Sequence, residues 1–429
     1  MSELTDRFDI RYDELTKETV YYTTHPTGVK IAICPKPELK SSYAVFGTKY
    51  GSIDNDFSID GGEFLRVPDG LAHYLEHKLF ENEDCEAFEK YSKIGACANA
   101  YTGFDKTCYL FSCTREFEQA FRILLDFVQN PFFTEESVRK EQGIIAQEID
   151  MYRDNPGWHL FFNLMKSMYR EHPIRNDIAG TAESIAQITP ELLYQCYEAF
   201  YNPDNMVLSV AGNVDPLKVL EMCDELLLPK QRHEIVSRCP EDDGTVAQPY
   251  VECRFDVPMP LFQLGFKKKY RELTERERVL IGIVRSAVFG PVSDFYTRMM
   301  NKQLIGSDFA PGFTYLRGVF VSLFQGMSCS PEAIRDEIFE EIERVKRNGI
   351  SPRVFECVRR SSYGGQILMY NNPDDIAENL LGDLMTGTDV FKGLKAASTV
   401  TVDEGNQVFS ELFDISNSTL SVVRPCKEA

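Results

Sequence analysis

The feature that most restricts the fold is a likeness between the two halves of the chain. NMVLSVAG near residue 208 has a counterpart in NSTLSVVRP near residue 420, and Leu208 and Leu420 stand 212 positions apart in a chain of 429. VFGTKYG near residue 48 is matched by QLGFKKKY near residue 266, and a helical pattern follows each. A repeat at half the chain length reads as one structural unit made twice. We therefore expect two similar domains, over residues 1–230 and 249–429. The stretch 231–248 between them has no periodicity and reads as a linker.

Turn and breaker residues divide the first half. TGVKIAICPKP and SSYAVFGTKYGS read as strands bounded by glycine or proline. GLAHYLEHKLF and EDCEAFEKYSKIG read as helices, and ACANAYTGFDKTCYLFSCT as a hairpin turning at TGFDK. Helical periodicity then covers Phe117–Val128 and residues 134–152, where Pro156 ends it. MYREHPIRNDIAGTAESI reads as loop. ITPELLYQCYEAFY is a helix capped by Thr189 with Pro190 in its first turn, and DPLKVLEMCDELL closes the half.

Composition excludes several classes. The net charge is −20, from 46 basic and 66 acidic residues, which argues against a general nucleic-acid binder. The opening MSELTDRFDIRYDELTKE is charged and has no apolar core of a secretory signal. VLIGIVRSAVFGPV, an apolar run, is interrupted by Arg285, so no membrane span is expected. Twelve cysteines lie scattered with no C-x-x-C pair, the pattern of reduced thiols in a cytoplasmic protein.

The chemistry concentrates in GLAHYLEH. Asp69 is placed to cap this helix, with Gly70 entering its first turn. His73 and His77, four apart, share one helix face and have the spacing of two zinc ligands. Glu76 stands at the edge of that face, where it could act on a water rather than bind the metal. The order His-x-x-Glu-His is the inverzincin motif. A catalytic zinc needs a third protein ligand. On the helix after residue 134, Glu141 and Glu148 are two turns apart on one face beside Ile144, Ile145 and Ile149. One could complete the metal site and the other hold a ligand histidine. Glu81 is a weaker rival ligand. His25, His159, His172 and His233 show no metal-binding spacing. In the second half, aliphatic residues and Arg285 stand where the first half has its histidine box.

These residues resemble the pitrilysin, insulinase and mitochondrial-processing-peptidase family of zinc metallopeptidases over most of the chain. GLAHYLEH resembles its catalytic box, EQGIIAQEIDM the segment of its third ligand, and GACANAYTGFDKTCY its substrate-side edge strand. YGSID, HKLFE and QEIDMYRDNP are most similar to the bacterial YmfH-like branch, typically encoded beside a partner subunit of the same family. The resemblance implies two homologous α+β domains, each a mostly antiparallel sheet packed with helices, the pairs enclosing a chamber. It implies Zn2+ held by His73, His77 and Glu148, with Glu76 and the supporting Glu141 as the catalytic set. It also implies peptide or unfolded polypeptide substrates along Asn99, Ala100, Tyr101 and Thr102. The family often adds an Arg and a Tyr from the second domain or subunit, which bind the substrate and the developing oxyanion. TRMMNKQLIGSDFA puts Met300 and Ser307 at those positions, with Arg298 and Tyr296 out of register. The expectation is a zinc endopeptidase completed by a related subunit, in a heterodimer or homodimer; the alternative is a non-catalytic binding or assembly subunit.

Overall fold

The computed structural model describes residues 6–83 and 85–426. The first five residues, part of the opening read above for a secretory signal, lie outside them. The described residues form two units, and neither is continuous in sequence. The first takes residues up to Ile149, Asp177–Arg238 and Ile367–Phe391, and the second takes Asp150–Asn176, Cys239–Gln366 and the chain from Lys392 onward.

Ten strands belong to the first unit: β1 (Asp9–Asp13), β2 (Glu18–Thr24), β3 (Lys30–Pro35), β4 (Ser42–Thr48), β5 (Asp56–Ile59), β6 (Leu65–Arg66), β7 (Cys97–Thr102), β8 (Thr107–Cys113), β9 (Met206–Gly212) and β10 (Ile235–Ser237). Seven form a sheet in the order β1-β2-β3-β9-β4-β8-β7. Its strands pair antiparallel except β3 with β9. Every residue of β4 and β9 is buried, and that is why both read as largely apolar without alternation: central strands covered on both faces lose the alternation of polar and apolar. β10 lies in the stretch read as linker and pairs with β5 in a small three-stranded sheet. Three residues are too few to show a period.

The second unit has β11 (Tyr250–Phe255), β12 (Leu261–Lys267), β13 (Ala310–Leu316), β14 (Val319–Met327) and β15 (Ser418–Pro425). They lie in the order β11-β15-β12-β14-β13, with β11 and β15 parallel and the rest antiparallel. This reproduces β3-β9-β4-β8-β7, pairing by pairing. The repeat read from short sequence matches is thus a duplicated five-stranded topology, and each unit is the expected mostly antiparallel sheet packed with helices. The apolar stretch 275–301 has a most apolar window of mean hydropathy 1.3, which would pass for a membrane span by length and composition. In the structure it is two helices, Glu275–Phe289 and Asp294–Asn301, whose apolar residues enter the core of the second unit.

One face of the first sheet, with Phe46, Tyr109, Phe111 and Leu208, packs into the main core with the helices Leu71–Leu79, Phe117–Gln129 and Pro190–Phe200. The other face, with Val20, Ala32, Val45, Val207 and Ala211, is covered by Ile376, Ala377, Leu380 and Leu381 of the helix Pro373–Thr386. Burying each of the three larger side chains stabilises by about 1.5–3 kcal/mol. Gly47 lets this helix approach, since a Cβ there would stand 2.7 Å from Met385 Cε. The second unit receives a helix in return. Pro156–Met168 lies on its sheet, where Ser421 donates to the Leu160 carbonyl at 2.9 Å and a Cβ on Gly265 would collide with Met168. Pro156 therefore ends one helix and starts the next. Both exchanged helices begin Asn-Pro, with Asn155 and Asn372 capping through their side chains.

Candidate active site

The helix Leu71–Leu79 enters differently from the sequence expectation. Gly70, at φ 92°, is its N-cap residue, and the Asp69 carboxylate instead accepts a hydrogen bond from Asn55 Nδ2 at 2.7 Å. A Cβ at position 70 would lie 2.5 Å from the Ala179 carbonyl oxygen. The positive φ and this close approach both require glycine.

The entry angle points His73 and His77 at the helix Glu135–Arg153. Their Nε2 atoms lie 3.7 and 3.4 Å from one oxygen of Glu148. One ligand atom from each of these three residues falls within 4.8 Å of the others, forming a candidate metal site. Glu141 Oε1 is 3.0 Å from His77 Nδ1. A carboxylate there holds a proton on Nδ1 and turns Nε2 toward Glu148. Burial, aided by the charge of His77, lowers the pKa of His73 to about 4, so this imidazole is neutral, the form that donates to a metal. Its Nδ1 is buried without a hydrogen-bond partner, so a ligand on Nε2 would be what fixes the tautomer. Burial would lower the pKa of His77 too, but hydrogen bonds to Glu141 and Glu148 raise it to about 10. Two carboxylates thus hold a positive charge at this ring, and a metal ion on Nε2 answers the same demand. Two imidazoles and a carboxylate are the donor set of several catalytic zinc sites; the residues fit the metal.

Glu76 stays outside the ligand group. Its carboxylate accepts the Thr102 hydroxyl at 2.6 Å. Burial raises its pKa, opposed by the Thr102 hydrogen bond and the charge of His77. Sequence reading had placed Thr102 only on the substrate-side strand. The signal for more was strand alternation, which turns Thr102 and Ala100 to the face of the histidine helix and Tyr101 to the opposite face. There the Tyr101 and Tyr43 hydroxyls donate to Glu378, at 2.6 and 2.8 Å. Asn99 Oδ1 accepts from the Ala100 backbone N–H at 2.9 Å. β7 is the last strand of its sheet, so it has an open edge. A cavity of about 260 Å³ beside it is lined by Glu76, His77, Phe80, Phe88, Ala100 and Ile144, among others.

The remaining candidates lie outside the ligand group. Glu81 lines the same cavity but pairs with Lys78. His25 contacts Thr27 and Asp224, His159 the Arg153 carbonyl, His172 the Arg317 carbonyl, and His233 Asp60. In the second unit Met300 is exposed, Arg298 is bound to Glu341 at 2.7 Å, and the Tyr296 hydroxyl is 3.5 Å from the Gly306 carbonyl.

The family described as Insulinase (Peptidase family M16) matches residues 58–182, and the Peptidase M16 inactive domain matches residues 187–362. The chain belongs to peptidase family M16. A Bacillus subtilis M16 relative, named uncharacterized zinc protease YmfH, is 37% identical over 97% of this chain and 99% of its own length. A second B. subtilis protein, named uncharacterized zinc protease YmxG, is 24% identical over 80% of this chain and 86% of its own. Among solved structures, one described as an M16-like peptidase from Alicyclobacillus acidocaldarius superposes with a TM-score of 0.91 at 32% identity, covering 97% of this chain and 98% of that one. A Helicobacter pylori protease shares the fold, with a TM-score of 0.81 at 18% identity over 95% of this chain and 99% of its own.

Proposed function

We propose that the chain is a zinc-dependent endopeptidase that cuts peptides or unfolded polypeptide segments. The reading rests above all on one observation: a half-buried carboxylate, Glu76, is held by Thr102 beside the His73, His77 and Glu148 cluster without joining it. A closed structural metal site has no use for such a group. His73, His77 and Glu148 would hold the zinc, with Glu141 keeping His77 turned toward it. When bound, zinc supplies a Lewis acid for a peptide carbonyl and acidifies water. Glu76 takes the proton of the attacking water and passes it to the leaving amine. The substrate lies extended along the open edge of β7, at Asn99–Thr102, by strand addition. It would replace the Asn99 side chain on the Ala100 N–H and place one side chain in the cavity beside His77.

The proposal includes a partner. Met300 offers no donor in place of the expected Arg, Ser307 only a short hydroxyl in place of the expected Tyr, and Glu341 occupies Arg298. A related subunit, or a second copy of this chain, would supply that half of the site and help enclose a chamber around the substrate. We place the assembly in the cytoplasm, in keeping with twelve cysteines that are all free thiols, and assign it no nucleic-acid or membrane partner. The same missing groups favour a second reading, a binding or assembly subunit without turnover. Glu76→Gln tests the first reading. It should abolish cleavage of a peptide library, with or without the partner, while zinc content stays at one per chain. Undiminished cleavage by a rigorously purified variant refutes the mechanism. A parent protein that binds zinc yet cuts nothing, even with its partner, supports the second reading.

A further inference from the structure

The second unit repeats the setting of the metal site with different residues in it. Its helix Glu275–Phe289 follows β12, as the histidine helix follows β4, and it faces the edge strand β13 as that helix faces β7. Arg278, Gly282 and Arg285 stand at i, i+4 and i+7 along one side of this helix. The Arg278 guanidinium lies 5.1 Å from the ring centre of Tyr315, and that of Arg285 lies 5.7 Å from Phe313. Tyr315 and Phe313 are two apart on β13, so they share a face of the strand.

Neither arginine is neutralised. Nε of Arg278, and Nε and Nη1 of Arg285, are buried with no hydrogen-bond partner. Among the described residues no carboxylate pairs with either one. On the same helix Arg276 does the ordinary thing and binds both oxygens of Glu404. Both side chains are partly exposed, but a guanidinium nitrogen shielded from water with no acceptor costs free energy. Burial alone pulls the Arg285 pKa down to about 10. The strip between the two arginines is also open: a Cβ on Gly282 would meet no atom within 4 Å. Two uncompensated cations, an open strip and a strand edge thus coincide, in a chain whose net charge is −20.

We propose that this groove is a carboxylate-binding site that anchors an acidic, extended polypeptide segment added to the edge of β13. The incoming backbone pairs with the strand. Acidic side chains at alternate positions lie next to Phe313 and Tyr315, under Arg285 and Arg278, and form charge-assisted hydrogen bonds with the buried nitrogens. The site uses neither the metal nor Glu76, so it stands or falls apart from the peptidase reading.

The test uses the full chain carrying Glu76→Gln. The probes are two fluorescein-labelled heptapeptides, Val-Glu-Val-Glu-Val-Thr-Val and its twin with glutamine for glutamate. Binding is read by fluorescence anisotropy at low salt, with probe integrity checked by mass spectrometry. The glutamate probe should bind at least tenfold tighter, and salt should erode the difference. Adding Arg278→Met and Arg285→Met should bring the two probes to equal affinity. Methionine keeps an apolar chain in place of a partly buried charge, so thermal stability should not fall. Gly282→Leu, which fills the strip and leaves both charges, should weaken the glutamate probe tenfold or more and decides the matter if the double variant fails to fold. Equal affinity of the two probes for the parent protein, or a glutamate preference that survives these substitutions, overturns the proposal.

Discussion

Glu378 ties a helix from late in the chain to the strand that presents Thr102 to Glu76. It accepts hydrogen bonds from Tyr43 at 2.8 Å and Tyr101 at 2.6 Å. Burial first, and the Glu378 charge among further causes, raise both tyrosine pKa values, so both hydroxyls remain donors. Hydrogen bonds to a charged group contribute about 1.5–3 kcal/mol each. Glu378→Ala removes two of them, and water reaches the vacated place only in part, so the expected loss is about 3–5 kcal/mol. Glu378→Gln keeps one acceptor oxygen and should cost about 1–2 kcal/mol. For a unit of this size each kcal/mol moves the unfolding midpoint by about 2–4 °C, so the alanine variant should melt roughly 6–20 °C lower. Because Tyr101 adjoins Thr102 on the strand proposed to take substrate, KM should rise more than kcat falls. Calorimetry, urea unfolding and peptide kinetics on the parent, Glu378→Ala and Glu378→Gln measure these effects. Tyr43→Phe and Tyr101→Phe, each combined with Glu378→Ala, apportion the energy between the two bonds. An alanine variant melting within 1 °C of the parent, with KM unchanged, would show that the carboxylate holds nothing in place.

Glu141→Gln should leave the fold intact and weaken zinc binding about 10–100-fold, measured by competition with a chelator, because His77 loses the carboxylate that sets its tautomer. Gly70→Ala should destabilise by more than about 2 kcal/mol in urea unfolding, since the new Cβ meets the Ala179 carbonyl at a positive φ. His172 gives a pH dependence. Burial lowers its pKa to about 4, while its Nδ1 accepts from the Ile174 N–H and its Nε2 donates to the Arg317 carbonyl. Below pH 6.5 the unfolded chain takes up a proton there and the folded chain does not. Stability should therefore fall by about 3 kcal/mol between pH 6.5 and pH 4, and His172→Gln should flatten that part of the urea-midpoint profile.

The candidate metal site was legible because its spacing is local: His73 and His77 declare a helix face by themselves, and Glu141 and Glu148 do the same two turns apart. What joins the two helices is tertiary. Between Glu141 and Glu148 the sequence alone leaves the third ligand open; in the structure Glu148 faces both Nε2 atoms and Glu141 the far nitrogen of His77. The duplication was legible in its most buried strands, where full burial restricts composition. Other features left weaker traces. Asp69 looked like a better cap than Gly70, because nothing local records the Ala179 carbonyl pressing on position 70. The segment 157–167 went unassigned, since Trp158, Leu160, Phe161, Phe162, Leu164 and Met165 crowd it with apolar residues that mask a helical period, and Met168, the helix's last residue, was read as loop. Glu378 reads as an ordinary helix charge, since its tyrosine partners are 335 and 277 positions away.

The exchange of helices sets the order in which this protein can be made. A ribosome finishes the seventh strand of the first sheet, β9, by residue 212, yet the helix that covers one apolar face of that sheet ends at Thr386. At about 5–20 residues per second, those strands wait roughly 9–35 s with Val20, Val45 and Val207 facing water. The first half of the chain lacks the helix that covers one face of its own sheet, and the second half lacks the helix Pro156–Met168. A nascent chain stalled before residue 373 would present that sheet with one apolar face bare.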